Sequence, residues 1–378
     1  MSSKHQQIAK EILKDANIKI GGKRPQDIKV NNERFYEWTL SNGPLGAGES
    51  YMEGDWDANK LDVFFYTVLR ARLEREVQKR IGSKTALKIA MRYLLNQQKG
   101  KRAYRNAQLH YDIGNDLYEP MLGHTMAYTC AYWDRGAKTL DQAQTDKFDL
   151  VCEKLGLKKG MKVLDPGCGW GGLSIHMAKK YGCEVVCFTP AKEQIAFIKA
   201  HTKGLKVQAK LSTWQDYDGK TKFDRIASIG MMEHVGPKNY REYLTKMQSI
   251  LKDDGLMVLH TIGGNRSTQY TDPWIDRYIF PGGALPSVKQ IASALEGVFI
   301  LEDWHNLSTN YDKTLLAWYA NFKKSYPNLD HTKYDQRFYR MWEYYLLMCA
   351  GSFRARKNQL WQIVLSPRGV EGGYKSVR

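Results

Sequence analysis

Hydrophobic positions fall in two rhythms along the chain. From about residue 158, short apolar runs alternate with helix-length segments. Residues 162–165 (KVLD), 184–189 (EVVCFT), 207–211, 223–230 (FDRIASIG) and 256–261 (LMVLHT) read as buried strands, with 172–181 and 240–251 as helices between them. That alternation predicts an α/β fold with a doubly wound, Rossmann-like parallel sheet. Two later runs, 298–302 and 360–365, add antiparallel strands at one edge. The aromatic-rich helical segments 313–326 and 334–354 read as a lid inserted over a substrate. Residues 1–105 carry a mainly helical rhythm instead, which divides the chain into a small N-terminal domain, 1–105, and a catalytic domain, 106–378. Within it, Ala86, Ile89, Ala90, Tyr93 and Leu94 share one helical face while Lys84, Lys88 and Arg92 share another. Such a basic amphipathic stretch is either a solvated face over a core stripe or a docking surface.

Charge sharpens the second possibility. The 378 residues hold 57 Lys+Arg against 40 Asp+Glu, a net +17, which suits a polyanionic partner, nucleic acid or an anionic membrane surface. No run approaches the roughly 18–20 apolar residues of a spanning helix. The N-terminus MSSKHQQIAKEILKDANIKI lacks the apolar core of a secretory signal, so a cytoplasmic protein is expected. Six cysteines without a C-x-x-C pair predict neither a disulfide framework nor a metal site.

The strand KVLD runs into Pro166-Gly167-Cys168-Gly169-Trp170-Gly171-Gly172 and then a helix. A glycine turn at the carboxyl end of the first strand lets the backbone approach a ligand. A dinucleotide would call for an acid at the tip of the second strand, but that strand ends Cys187-Phe188-Thr189-Pro190. Asp165, directly before the loop, suits a ligand with a cationic amino-acid part, as S-adenosylmethionine (AdoMet) has; the alternative is that it caps the turn. The sheet and loop together point to a class I methyltransferase.

Other motifs go beyond the generic fold. HYDIGNDLY (110–118), MAYTCAYW (126–133), LDPGCGWGGL (164–173), MMEHVGPKNY (231–240), LHTIGG (259–264), DPWIDRYIFPGG (272–283), LPSVKQI (285–291), EDWHN (302–306), YDKTLLAWY (311–319) and MCAGSFRAR (348–356) together resemble cyclopropane fatty acid synthases over nearly the whole chain. GESYMEGDW (48–56) looks like part of the extra N-terminal domain of the phospholipid-acting members.

The resemblance implies transfer of a methylene group from AdoMet to a cis double bond of an unsaturated acyl chain in a membrane phospholipid. A carbocation forms, and bound bicarbonate takes the proton whose loss closes the ring. It implies a bicarbonate pocket of Cys130, Gly230, Glu233, His260 and Tyr311, with Cys349 as a further active-site cysteine. The implied cofactor shell is Tyr128, Thr129, Asp165, Gly167, Cys168, Gly169, Trp170, Gly171, Thr189, Gln194, Trp214 and Gln215. A homodimer is implied, peripherally associated with the inner face of the cytoplasmic membrane, so docking becomes the expected role of the basic segment.

Plainer readings stand beside these roles. His260 in an apolar strand is, on pattern alone, a satisfied core histidine; Cys130 and Cys349 read as small buried hydrophobes. Pro166 departs from the aliphatic residue of many relatives and removes a donor at the turn. A nucleic-acid methyltransferase would also suit the charge, but MMEHVG after the fourth strand is not the Asn/Asp-Pro-Pro-aromatic loop of base amino methylation.

Overall fold

In the computed structural model, residues 4–72, 113–217 and 219–378 are described. The basic stretch with Lys84, Lys88 and Arg92 lies outside them. Two compact units emerge. The first contains residues 4–72 together with Tyr270–Pro281 and Leu315–Asn358; the second contains 113–217, 219–269, Gly282–Thr314 and Gln359–Arg378.

The first unit is built on aromatic packing. Strands β1 (Ile28–Val30) and β2 (Trp56–Ala58) pair antiparallel. Trp56, 1% exposed, contacts the rings of Phe35, Tyr51 and Phe64. The long helix Gln336–Arg354 packs on the helices Arg34–Met52 and Leu61–Arg70. Arg340 lies 4.0 Å over the Tyr51 ring and donates to Trp56 O at 2.8 Å, Tyr51 Oη donates to Glu343, and Arg354 pairs with Asp62. Trp274 stacks 4.5 Å from Tyr344 against Gly48, where a Cβ would meet the indole at 2.3 Å. This division differs from a 1–105/106–378 split. The N-terminal helices complete their core with aromatic side chains supplied more than 200 residues later, which local patterning assigns to the other domain.

The second unit holds a seven-stranded sheet. Its strands are β3 (Lys162–Pro166), β4 (Glu184–Thr189), β5 (Val207–Leu211), β6 (Phe223–Ile229), β7 (Leu251–Gly264), β8 (Ile300–Asn306) and β9 (Asn358–Ser366), in the order β5-β4-β3-β6-β7-β9-β8. β5 through β7 are parallel, and β8 pairs antiparallel with β9, as the doubly wound reading expects. Successive strand residues face opposite sides. Leu164, Ile226 and Leu259 join one buried cluster, and Val163, Ala227 and Val258 the other. β7 begins earlier than its apolar run, because Leu251 pairs with Phe223 and a register shift carries the polar KDDG segment along the strand. The parallel order reverses between β3 and β6, where open α/β sheets bind ligands at their carboxyl ends. Among the described residues, no helix is long and apolar enough to cross a membrane.

Candidate active site

The cofactor end is assembled around β3. Asp165, 2% exposed, accepts a 2.6 Å hydrogen bond from Ser174 Oγ. Burial raises its pKa to about 6 against the pull of Ser174 and Lys147. The loop turns through positive φ at Gly167, Gly169 and Gly171, and the amides of Gly167 and Cys168 both donate to Phe188 O. These two bonds hold the turn just after Pro166.

The 126–133 segment lies alongside. Gln144 Nε2 donates to Thr129 O at 2.8 Å, and Lys147 Nζ to Thr129 Oγ1 at 2.9 Å. The Tyr118 ring bridges Tyr128 and Trp170, at 5.3 and 4.9 Å, and the Trp170 indole donates to Asn115.

At the tip of β4, Thr189 Oγ1 donates to Gln194 Oε1, and both residues are buried. This leaves Gln194 Nε2 sealed from solvent without a partner. A buried amide is costly to leave unpaired, by about 1–3 kcal/mol, so an orphan donor beside the glycine loop fits an acceptor brought by a ligand. Beyond β5, Trp214 packs edge-on against Tyr243 at 5.4 Å, and Gln215 O accepts from Lys246.

A second cluster occupies the tips of β6 and β7. Gly230 N donates to His260 O at 2.8 Å. Gly230 has φ +71°, and a Cβ there would stand 3.2 Å from Thr129 Cγ2, so this tip meets the 126–133 segment directly. Glu233 Oε1 accepts from Ile262 N at 2.6 Å, while Oε2 is inaccessible and without a hydrogen-bond partner among the described residues. Burial lifts its pKa to about 7.

His260, 2% exposed, has Gln362 Nε2 at 3.3 Å from Nδ1; with the amide donating there the proton sits on Nε2, which is buried and has no partner among the described residues. Burial, with Lys147 and Lys154 adding repulsion, keeps the ring neutral. His260 is thus not the satisfied core histidine of the plainer reading.

Thr314 joins Cys130 and Tyr311 to this unit. Its Oγ1 accepts from Ala131 N at 3.1 Å and from the Trp133 indole at 3.0 Å, and donates to Asn310 O. Asn310 in turn accepts from Trp133 N. Tyr311, between these two anchors, is buried. Cys130 is fully buried with Sγ on Ala131 O at 3.1 Å, and burial pushes its thiol far above the ordinary range. Such burial disfavours the thiolate form.

Cys349 belongs to the first unit. It sits half-buried on the Gln336–Arg354 helix, with a thiol pushed up to about 12. All six cysteines are free, and the described residues contain no metal-binding group of His, Cys, Asp or Glu.

Sequence patterning missed the supporting residues Gln144, Lys147, Asn310, Thr314 and Gln362. Their one signal is polarity on otherwise apolar helix and strand faces.

The profile of the family described as mycolic acid cyclopropane synthetase matches residues 98–363. Cyclopropane-fatty-acyl-phospholipid synthase of Escherichia coli K12 is 48% identical over 371 residues, covering 98% of this chain and 95% of the relative. Cyclopropane mycolic acid synthase 1 of Mycobacterium tuberculosis is 34% identical, covering 67% of this chain and 94% of the relative. Residues before 98 thus lie outside the profile but within the match to the E. coli enzyme. Among solved structures, mycolic acid cyclopropane synthase CmaA1 complexed with SAH and CTAB is similar at a TM-score of 0.64 and 31% identity, over 69% of this chain and 97% of that one. The glycine loop fits this assignment, and the chain belongs to the cyclopropane synthase family and is an AdoMet-dependent methyltransferase.

Proposed function

We propose that the enzyme transfers a methylene group from AdoMet to the cis double bond of unsaturated acyl chains in membrane phospholipids, with bicarbonate as the base. The observation that carries the base assignment is two buried polar atoms without a partner among the described residues, His260 Nε2 on β7 and Glu233 Oε2 on the short helix Met232–Val235 that follows β6. The 48% identity to a phospholipid-acting relative supports the substrate.

When bound, AdoMet supplies an electrophilic methyl group and bicarbonate a weak base. The protein supplies the rest. An alkene is a poor nucleophile, so the walls must hold it in near-attack geometry and exclude water that would trap the cation. Tyr128, Tyr132, Trp133 and Tyr311 offer aromatic surface that stabilises positive charge by roughly 0.5–2 kcal/mol per ring.

A carbocation is strongly acidic, and a small anion fixed by hydrogen bonds is a sufficient acceptor for its proton. In this reading His260 Nε2–H, the Tyr311 hydroxyl and the Gly230 region donate to that anion. An ionised Glu233 has the wrong charge for an anion site, but its raised pKa removes the objection. Near pH 7 the carboxyl holds a proton as readily as it accepts one, so Oε2 pairs with a bicarbonate oxygen in either sense. The cofactor is held by Tyr128, Thr129, Asp165, the 167–171 loop, Thr189, Gln194, Trp214 and Gln215.

Mass spectrometry of vesicles bearing cis-monounsaturated chains, incubated with enzyme and AdoMet with and without bicarbonate, tests this. We expect each modified chain to gain one methylene and lose its alkene, with turnover falling when bicarbonate is stripped. A methylene gain with the alkene retained would overturn ring closure, and bicarbonate-independent turnover would overturn the base.

We further propose that the enzyme acts as a homodimer on the cytoplasmic membrane, drawn to anionic lipid by its basic N-terminal segment. Reversing Lys84, Lys88 and Arg92 should weaken binding to anionic vesicles in a salt-dependent way, at about 1 kcal/mol per charge near the surface, with AdoMet affinity intact. Unchanged cosedimentation would exclude this segment.

A further inference from the structure

Two lysines are buried in the second unit, and they differ in one respect. Lys154 has His305 Nδ1 at 3.1 Å and the carboxylate of Asp303 at 3.9 Å. Lys147, 1% exposed, makes one hydrogen bond among the described residues, to Thr129 Oγ1, and no ion pair. Its ammonium also lies 4.3 Å over the Phe148 ring. Asp165 and Cys130 act on it only through space, and burial holds its pKa down to about 7. A cation sealed without a counter-charge is expensive, which is why buried lysines are almost always paired.

The geometry around Lys147 shows what would pair it. By donating to Thr129 Oγ1, the ammonium occupies a lone pair of that hydroxyl and leaves its hydrogen to be given elsewhere. Among the described residues Thr129 Oγ1 has no acceptor of its own. A second charge, the Asp165 carboxyl, stands at the end of β3 within Coulombic reach of Lys147. An acid for an ammonium, and a base-backed hydroxyl for a carboxylate, match the two ends of a zwitterionic amino acid. AdoMet carries one such part.

We propose that Lys147 is a positioning residue for AdoMet: it orients the Thr129 hydroxyl toward the methionine carboxylate and supplies the positive charge that this carboxylate neutralises on binding. This rests on the placement of Thr129 in the cofactor shell. It also accounts for a buried ammonium that makes no ion pair among the described residues, since the carboxylate of the ligand supplies the partner.

The test compares affinity for AdoMet with affinity for decarboxylated AdoMet, which keeps the sulfonium and loses the carboxylate. The wild type should prefer AdoMet by at least about tenfold, the scale of one charge-assisted hydrogen bond. Lys147→Met should bring that ratio close to one, leave binding of the decarboxylated analogue within about twofold, and keep or raise the unliganded melting temperature, because an unpaired buried charge is removed.

Lys147→Gln keeps a donor, drops the charge and provides a second variant with the same expected collapse. Thr129→Val should lose the same preference, and the double variant should lose no more than either single one. A lysine with a purely structural role would weaken both ligands equally and lower the melting temperature; that result overturns the proposal. So does a higher bicarbonate requirement in Lys147→Met with the AdoMet preference intact. If Thr129→Val leaves AdoMet affinity untouched, the cofactor-shell placement itself fails. If Thr129→Val weakens AdoMet while both lysine variants keep the wild-type ratio, only the role of Lys147 fails.

Discussion

Glu233→Gln is expected to lower kcat by about 10²–10³-fold, the usual scale of one lost hydrogen bond to a reacting group, while making the folded protein more stable at neutral and alkaline pH. Both effects have one cause. The carboxyl accepts from Ile262 N, its own backbone and the Thr261 hydroxyl also pull its pKa down, and its second oxygen is sealed without a hydrogen-bond partner among the described residues. Burial outweighs these and raises its pKa from the ordinary 4.5 to about 7.

The sign follows from proton uptake. Between these two values the native state binds the proton and the unfolded state does not, so stability falls as pH rises from about 4.5 through 7 and levels off above. Glutamine keeps an oxygen for Ile262 N and cannot ionise, so the variant lacks this slope. The stability difference between variant and wild type should widen by about 2 kcal/mol between pH 5 and pH 8, as a shift of this size implies. Thermal unfolding across that range, with turnover at saturating bicarbonate, checks both parts. A pH-independent difference would show that the carboxyl is not held by burial, and retained turnover would remove Glu233 from the chemistry. The combination of gain and loss is what a polar group kept unsatisfied for function produces.

How much of this was legible in the sequence depends on the range of the interactions. The sheet, its edge strands and the glycine loop are local patterns, and each strand that was read from an apolar run is present. Glu233 and His260 entered as candidates through the family resemblance, because a histidine inside an apolar strand reads, on pattern alone, as part of the core. The unit boundary was not legible. Trp274, Tyr344 and Arg340 complete a core begun by Tyr51 and Trp56, and no local rhythm announces a partner more than 200 residues away. Nor was the support for Thr129 and Tyr311. Lys147 and Thr314 lie on helices where a lysine or threonine reads as solvated, and only the folded chain shows them buried. Chemistry-bearing residues announce themselves by the motifs that hold them; the residues that aim them do so only in three dimensions.

The same distinction separates two glycines of the cofactor loop. At Gly169 a Cβ would meet nothing within 4 Å, and the objection to a side chain is the backbone alone, at φ +54°. Alanine there should destabilise by about 1–2 kcal/mol, the strain of a left-handed residue, and asparagine by less. At Gly172, the first residue of the helix Gly172–Tyr181, the obstacle is contact: a Cβ would stand 2.2 Å from the Thr125 carbonyl oxygen and 3.2 Å from Phe148 Cζ. A backbone carbonyl cannot swing aside, so Gly172→Ala must move the helix start or the chain at Thr125, at the upper end of the roughly 1–3 kcal/mol of overpacking or beyond it. Either movement reaches the cofactor. Ser174, two residues on, holds Asp165 at 2.6 Å, and Thr125 leads into Tyr128 and Thr129. Gly172→Ala is therefore expected to weaken AdoMet binding by at least about tenfold, the effect of about 1.4 kcal/mol lost at the site, and to melt at a lower temperature than Gly169→Ala. Calorimetric binding and thermal melts of the two variants side by side decide it. If Gly169→Ala proved equal or worse on both measures, backbone strain rather than helix–chain contact would govern the loop, and the account of Gly172 would be wrong.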